Sequence, residues 1–345
     1  MAFFTNKTKS HQLEFEKQLA TREEWIAAKE HWESSGFNKT QIRNLRLGYY
    51  FEKLSQLVFG KIKQGKIDES LDLLGQFQQY VGSRSLKTSE NGNRHEKRVA
   101  EFTKIISRLR YIIKSIQTNM VDATSHGELF LQKGNTINVA GIDYTIDESL
   151  NKPNAKIFIC KNSAGKKFIL KEALCQFDSM YSINGLYELI NESNILESLN
   201  NKEGIVNFFG KFYHMTDDMI FVGSVLEYCG EKDLGEKLAD LDGDIEKRKI
   251  LFTGKIIHQL ISTLQKIHAS NIIHHDLAPA NIMIDENDNA KIIDFGASHL
   301  GASLSNNEDL IEFGLGNYNL KPMFTPGYYN NNDKARVDKD SDVIL

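Results

Sequence analysis

The feature that most constrains this chain is a change of hydrophobic period partway along it. From about residue 10 to 120 the apolar residues recur at helical spacing, and beyond Gly127 they collect into short β-rich runs. "SHQLEFEKQLATREEWIAAKEHW" carries Leu13, Ala20, Trp25, Ala28 and Trp32 at roughly helical spacing. Ser10 is its candidate cap and Gly36 its stop. "KTQIRNLRLGYYFEKLSQLVFGKIKQ" places Ile42, Leu45, Tyr49, Leu54 and Val58 on one stripe, and "IDESLDLLGQFQQYV" predicts a third, shorter helix. After the polar loop "SLKTSENGN", the stretch "RHEKRVAEFTKIISRLRYIIKSIQ" clusters Phe102, Ile105, Ile106, Leu109, Ile113 and Ile116 on one face. No strand pattern interrupts residues 1–126, so an all-α helical bundle is expected there.

From 127 onward the order of elements changes. "NVAGIDYTID", "AKIFIC" and "KKFILKEA" are strand-like runs separated by "NKPN" and "NSAG", both turn chemistry. One helix follows, "INGLYELINESNILESL", then two more strand runs, "IVNFFGKFY" and "MIFVGSVLEY". A long helix, "KRKILFTGKIIHQLISTLQKIHA", leads into a polar loop. Strands, one helix, strands and then a helical region make an α+β order, not the alternation of a doubly wound sheet.

Composition narrows the function classes. Charged residues are 26% and the net charge is -4, so the whole molecule is no generic nucleic-acid binder. No window approaches the ~18 consecutive apolar residues of a transmembrane helix, and "MAFFTNKTKSHQ" is too short in apolar content for a signal-peptide core. Cys160, Cys175 and Cys229 are odd in number and widely separated, which suits a reducing compartment and neither a zinc knuckle nor a disulfide framework. A cytosolic location and a monomer are expected.

The polar loop lies in "IIHHDLAPANIMID", residues 272–285. A histidine beside apolar residues is more often a hydrogen-bonded core group than a ligand, and no nearby Cys or Glu pattern completes a metal site around His274 and His275. The continuation carries more. Asp276 and Asn281 stand five apart, and Asp294 follows in "KIIDFG". Two oxygen-bearing side chains at the ends of short strands can converge on a hard cation such as Mg²⁺ or Mn²⁺, while a further carboxylate orients or deprotonates a hydroxyl.

With these segments in order, the chain from Gly127 to its end, about two thirds of the sequence, resembles the protein-kinase superfamily. "HHDLAPAN" is similar to the catalytic loop HRDLKPEN, and "DFG" to the metal-binding tripeptide. "FILK" is similar to the strand ending in the lysine that holds ATP phosphates, here Lys171, and "NESNIL" to the helix whose glutamate pairs with it, here Glu192. "SVLEYCG" resembles the adenine-holding hinge, with Leu226 as gatekeeper and the backbone of Glu227 to Cys229 available. "FTPGYY" and "DKDSDV" are similar to the end of the activation segment and the start of the anchoring helix.

The resemblance implies a two-lobed kinase-like fold at 127–345, with an N-lobe of about 127–228 and a shortened C-lobe of about 229–345. It implies ATP with Mg²⁺ or Mn²⁺ as cofactors, and a protein substrate phosphorylated on Ser or Thr. Lys171, Glu192 and Asp276 would be catalytic, Leu226, Glu227 and Cys229 would line the nucleotide, and Asn281 and Asp294 would hold the metal. A kinase-fold AMP transferase, a small-molecule phosphotransferase and a nucleotide-binding scaffold remain open as alternatives.

Four departures from the family pattern stand out. The phosphate loop matches "LNKPNAKIF", with Asn151, Pro153 and Lys156 at the positions where glycine would let backbone N–H groups approach phosphate. Ala278 stands where a lysine would neutralise the transferred phosphate, a loss on the order of 10²–10³ in rate unless another cation substitutes. His275 replaces the arginine that reads an activation-segment phosphate. No Ala-Pro-Glu follows "TPGYY", and the ending "SDVIL" reads as cut in mid-helix, so a longer protein is expected.

Richness in Asn, Lys and Ile, degenerate motifs and a helical N-terminus together resemble secreted bacterial effector kinases, which would act in a host cytosol. In the bundle, Lys97, Lys104 and Arg108 fall on one helix face with Arg94 nearby. A solvated basic face is the default for such a pattern. The sharper expectation is a site for an activating polyanion, an inositol phosphate or a membrane phosphoinositide.

Overall fold

The computed structural model describes residues 15–85, 92–119, 131–150, 156–176, 183–199, 202–215, 219–241 and 243–300. The chain divides into two compact units, one holding the residues up to Gln117 and the other nearly all of those from Thr118. The expected boundary at 126/127 lies outside the described residues.

Among the described residues up to Asn119 the regular elements are helices: α1 (Arg22–Ser34), α2 (Lys39–Lys63), α3 (Ile67–Ser85) and α4 (Gly92–Asn119). Their core forms where the apolar stripes meet. Leu54 and Val58 of α2, Leu74 and Phe77 of α3, and Ile106, Leu109 and Ile113 of α4 are all buried. Glu16 is also buried; its carboxylate receives the Arg46 guanidinium at 2.5 Å and the Tyr80 hydroxyl at 2.5 Å, while Arg46 stacks over Trp25 with 4.9 Å to the ring centroid. The single helix expected from Ser10 onward is interrupted, and Ser10 itself lies outside the described residues. Residues 15–19 are helical, then Thr21 turns extended and starts α1 anew. Thr21 Oγ1 accepts from the Glu24 N–H at 3.2 Å, and Glu24 Oε2 accepts from the Thr21 N–H at 2.8 Å. This reciprocal cap satisfies two donors that an uninterrupted helix would not need satisfied.

In the second unit, six strands form a sheet in the order β1-β2-β3-β4-β6-β5. They are β1 (Thr136–Val139), β2 (Ile142–Ser149), β3 (Lys156–Asn162), β4 (Lys167–Gln176), β5 (Phe208–Met215) and β6 (Met219–Glu227). The run "NVAGIDYTID" is therefore a hairpin and not one strand. Ala140 at φ 52° and Gly141 at φ 80° supply the two left-handed residues that a two-residue turn between twisted strands demands. The outermost strands approach each other: a Cβ on Gly210 of β5 would sit 2.8 Å from Val139 Cγ1 of β1. Between them Ile137, Tyr144, Phe158, Phe168 and Phe212 fill one core. Helix α5 (Ile183–Leu199) is buried on most of its circumference, including Leu186, Ile190, Ile195 and Leu196.

After the strand β6 the chain enters a second lobe. Its elements are β7 (Lys232–Asp233), α6 (Leu234–Ala239), α7 (Ile245–Leu251) and a π-helical turn (Phe252–Ile256). They continue with α8 (Ile257–Ala269), β8 (Ile272–Ile273), β9 (Ile282–Ile284), β10 (Ala290–Ile292) and β11 (His299–Leu300). The long helix expected over 247–269 is continuous, with its turn at Phe252–Ile256 widened to π spacing. Leu251 and Ile256 both pack toward the same core, five residues apart, and an i→i+5 turn is what places that spacing on one side. A core of Leu196, Leu226, Leu234, Ile256, Leu260, Ile267, Ile282, Ile292 and Phe295 joins α5 and β6 to the second lobe. The expected α+β, two-lobed architecture preceded by helices is the one observed. "FTPGYY", "DKDSDV" and the extent of the C-lobe lie outside the described residues.

Candidate active site

Strand β4 alternates its faces, and Lys171 pairs in register with Ile157 of β3. Its ammonium meets Glu192 of α5, with Nζ donating to Oε1 at 2.8 Å and to Oε2 at 2.9 Å. Asp294, just past β10, adds its Oδ1 at 3.8 Å. Glu192 is 2% exposed, and its Oε1 also accepts from the Phe295 N–H at 3.4 Å. Burial works against the charge on Lys171, but Asp294 and Glu192 outweigh it and hold the ammonium well above the usual lysine range. Burial pushes the Glu192 carboxyl up, with Lys171 opposing it. Lys171 pulls the Asp294 carboxyl down, against the cost of burial.

The loop after β8 is held by its own polar groups. Asn281, ending a 3₁₀ turn that Pro279 begins, donates from Nδ2 to the Asp276 carbonyl at 2.8 Å and to Asp276 Oδ2 at 3.0 Å. The amide is thereby oriented, leaving Oδ1 as its side-chain acceptor. The Ile293 N–H donates to the Asn281 carbonyl at 2.9 Å, which places Asn281 beside the residue preceding Asp294. His274 is fully buried. Its Nδ1 accepts from the Asp276 N–H at 3.3 Å, so Nε2 carries the proton and donates to the Ile293 carbonyl at 3.0 Å. The His274 ring lies edge-on to Phe295, centroids 4.7 Å apart. Lys171, Glu192, Asp276, Asn281 and Asp294 are thus linked through short polar contacts and adjacent backbone.

The hinge residues behave differently from one another. Leu226 is buried in the core shared by the lobes. The Glu227 carboxylate turns to β10, accepting from Lys291 at 2.5 and 2.6 Å and from the Asn207 N–H at 3.1 Å. The Glu227 N–H donates to the Asn207 carbonyl, while the Glu227 carbonyl receives the weak Cys229 thiol at 3.6 Å. Burial raises the Cys229 thiol to about 12, with Glu227 adding to it.

Among the departures, His275 is buried at φ 68° with its ring 5.0 Å from that of His299, so it is turned inward. Ala278 is buried as well. Lys156 pairs with Glu172 at 3.7 Å, while Asn151 and Pro153 lie outside the described residues. Of the basic cluster on α4, Lys104 and Arg108 are half-buried and already engaged by other groups. The side chains of Arg94 and Lys97 lie outside the described residues.

Two residues of this region escaped the sequence reading. Asn191, next to Glu192 on α5, is buried and donates from Nδ2 to the carbonyls of Gly296 at 3.1 Å and Ser298 at 2.8 Å. Ser298 in turn donates from Oγ to the His274 carbonyl at 3.0 Å. A signal existed: Asn191 interrupts the four-residue stripe Tyr187, Asn191, Ile195, all three buried, and a mid-helix asparagine on an apolar face needs partners.

Residues 153–318 match the family model described as protein kinase domain. The chain is 39% identical over 85 residues, 25% of its length and 6% of the relative's, to "Probable serine/threonine-protein kinase ifkB" of Dictyostelium discoideum. It is 28% identical over 152 residues to calcium-dependent protein kinase 27 of Arabidopsis thaliana, covering 43% of this chain and 28% of that one. With serine/threonine-protein kinase Nek2 of Mus musculus the identity is 27% over 147 residues, 41% of this chain and 32% of the relative. The chain thus spans at most about a third of the length of these relatives. The domain match and the shared kinase segments place residues 153–318 of this chain in the protein-kinase superfamily.

Proposed function

We propose that this protein is an ATP-dependent protein kinase that passes the γ-phosphoryl group to a serine or threonine hydroxyl of a protein substrate, as a monomer in a cytosol. The observation that carries this reading is the Lys171 ammonium held by both oxygens of buried Glu192 and facing Asp294. A cation fixed in that way is preorganised for nucleotide phosphates, at no cost of reorganisation when they arrive. The oxygen donors left at Asn281 Oδ1 and Asp294 suit a hard divalent cation, Mg²⁺ or Mn²⁺. Such a cation supplies charge neutralisation between phosphate oxygens when bound. Asp276, with its Oδ2 held by the Asn281 amide, is the carboxylate that holds the proton of the acceptor hydroxyl as its oxygen takes the phosphoryl group. ADP is the leaving group.

The test is incubation with ATP labelled at the γ- or the α-phosphate, Mg²⁺ or Mn²⁺, a protein acceptor, and Asp276→Ala and Asp294→Ala controls. Transfer of γ-label that both variants lose is the expected result. Transfer of α-label would instead make it an AMP transferase, label on a small molecule alone a small-molecule phosphotransferase, and nucleotide binding without transfer a scaffold.

The finer reading adds a polyanion, an inositol phosphate or phosphoinositide, taken up by Arg94, Lys97, Lys104 and Arg108 and raising the rate. Its support is the spacing of basic residues along α4, and equal rates across a panel of inositol phosphates would sink it. The departures at Asn151, Pro153, His275 and Ala278 favour a secreted bacterial effector working in a host cytosol. Retention of the chain in the producing cell during infection would count against that origin.

A further inference from the structure

Two carbonyl groups downstream of Asp294 have their hydrogen bonds from an unexpected source. The segment Phe295–Ser298 has no strand partner of its own, since β11 begins only at His299. Its Gly296 and Ser298 carbonyls are both taken by one side-chain amide, Asn191 Nδ2, at 3.1 and 2.8 Å. Asn191 is 6% exposed, so neither bond can be replaced by water without opening the core. From Ser298 the path continues: Oγ donates to the His274 carbonyl, and His274 holds the Asp276 N–H on Nδ1 and the Ile293 carbonyl on Nε2. Ser298 is itself 1% exposed. The chain of bonds therefore starts on α5, passes the far end of the Asp294 segment, and reaches the loop of Asp276. The route ends at one residue of the proposed chemistry and passes beside another, yet neither Asn191 nor Ser298 touches the reacting groups.

We propose that Asn191 is a positioning residue which, through Gly296, Ser298 and His274, holds the Asp294 segment and the Asp276 loop in mutual register. The inference rests on the kinase reading above and names a residue outside its catalytic set. Two neighbours on α5 then have separate tasks. Glu192 fixes the lysine that meets phosphate, and Asn191 fixes the carboxylates that meet metal and acceptor. An asparagine suits this task because both amide hydrogens point from one nitrogen, so a single side chain can satisfy two carbonyls two residues apart. A buried hydrogen-bond network of this kind is worth more than its separate bonds because each member orients the next.

The experiment compares wild type with Asn191→Asp, Asn191→Leu and Ser298→Ala, and with the double variant Asn191→Leu/Ser298→Ala. Asp keeps the shape of Asn and turns a carboxylate toward the two carbonyls; Leu removes the donors without adding charge. Three quantities are read: the Mg²⁺ half-saturation for binding of a fluorescent ATP analogue, kcat and KM for ATP, and Tm. Loss of two buried bonds predicts a kcat lower by about 10- to 100-fold and a Mg²⁺ half-saturation raised several-fold. KM for ATP at saturating Mg²⁺ stays within about twofold, since the Lys171–Glu192 pair is untouched. Ser298→Ala shifts the same quantities less, and the double variant falls short of the product of the two single effects.

Unchanged kcat and Mg²⁺ half-saturation in Asn191→Leu, with only Tm lowered, would overturn the proposal by making Asn191 a structural residue. Multiplicative effects in the double variant would overturn the relay. Failure of the wild type to transfer phosphate would refute the kinase reading. The Mg²⁺ titration of nucleotide binding would still decide the role of Asn191, because it needs no turnover. Should the Asn191 variants be unfolded, Ser298→Ala alone decides: an unshifted Mg²⁺ half-saturation overturns the proposal.

Discussion

Replacing Glu192 by glutamine isolates what the buried ion pair does. The side chain keeps its length and shape, but the two charge-assisted bonds to Lys171, 2.8 and 2.9 Å long, are reduced to one neutral acceptor. A hydrogen bond to a charged group is worth about 1.5–3 kcal/mol; the amide oxygen keeps one such bond from the ammonium and the other is lost, so the hold on Lys171 weakens by about 2–3 kcal/mol. The ammonium then leans toward Asp294, now its nearest carboxylate at 3.8 Å, and is withdrawn from the phosphates. At 1.36 kcal/mol per tenfold, kcat/KM for ATP falls about 30- to 150-fold. Stability should behave in the opposite way. Burial already disfavours the Glu192 anion, and a neutral isostere removes that desolvation cost, so Tm holds steady or rises slightly. Steady-state kinetics with varied ATP, alongside thermal denaturation, separates the two. A kcat/KM within threefold of wild type, or a Tm drop large enough to unfold the variant at the assay temperature, would refute the reasoning.

Acid should disable the site before it loosens the fold. Glu192 has its carboxyl raised above 4.5, so the folded protein takes that proton early, the pair with Lys171 is lost, and KM for ATP climbs while Glu192's own contribution to stability grows. Asp294, lowered below 3.8, has the other sign, and its stabilising contribution is lost only as pH falls through its depressed value; coincident loss of ATP binding and circular dichroism would contradict this order. Gly223→Ala should destabilise by about 2 kcal/mol in chemical denaturation, because the new Cβ would meet the cross-strand Phe212 ring at 2.1 Å in a filled core, and an unchanged midpoint would show that Phe212 has room to move. Cys160, raised to about 11 by burial from 9.0, carries about 100-fold less thiolate at pH 8 than an ordinary thiol, so iodoacetamide should modify it only after unfolding, as mass spectrometry of the native protein can show.

What was legible in the sequence is what local chemistry dictates. The stripes of α2 and α4 and the strand–helix–strand order of the second unit follow from periodicity. Asp276, Asn281 and Asp294 stand out as polar residues at fixed offsets among apolar runs, whereas Lys171 and Glu192 are picked out by the resemblance to kinase segments. Four features were hidden for physical reasons. The break at Thr21 sits inside an apolar spacing that fits one long helix, and only the threonine–glutamate offset of a capping box betrays it. The turn at Ala140–Gly141 was masked because alanine rarely takes a left-handed conformation, so "AG" does not advertise a hairpin. The π-helical turn depends on where Leu251 and Ile256 both find a core, a tertiary fact no local window contains. Asn191 was overlooked because its partners are two backbone carbonyls more than a hundred residues away, and backbone groups carry no sequence signature.

The position of α5 ties these observations together. Successive residues on a helix point about 100° apart, so Asn191 and Glu192 address different directions from adjacent positions. Only one rotation of the helix lets Glu192 meet Lys171 on β4 while Asn191 meets Gly296 and Ser298 beyond Asp294. That rotation is set by apolar packing on the remaining faces, where Leu186, Ile190, Ile195 and Leu196 are all buried. A further pin is the hydroxyl contact of Ser193 with Ser224 on β6, 2.5 Å apart. Polar precision at the site is therefore inherited from close packing around the helix, because a core at crystal-like density resists the small rotation that would separate either pair. The loop "HHDLAPAN" carries the proposed reacting groups, but its own residues do not fix where they sit relative to Lys171. The helix does that, with two adjacent side chains whose bonds can be satisfied together in only one arrangement.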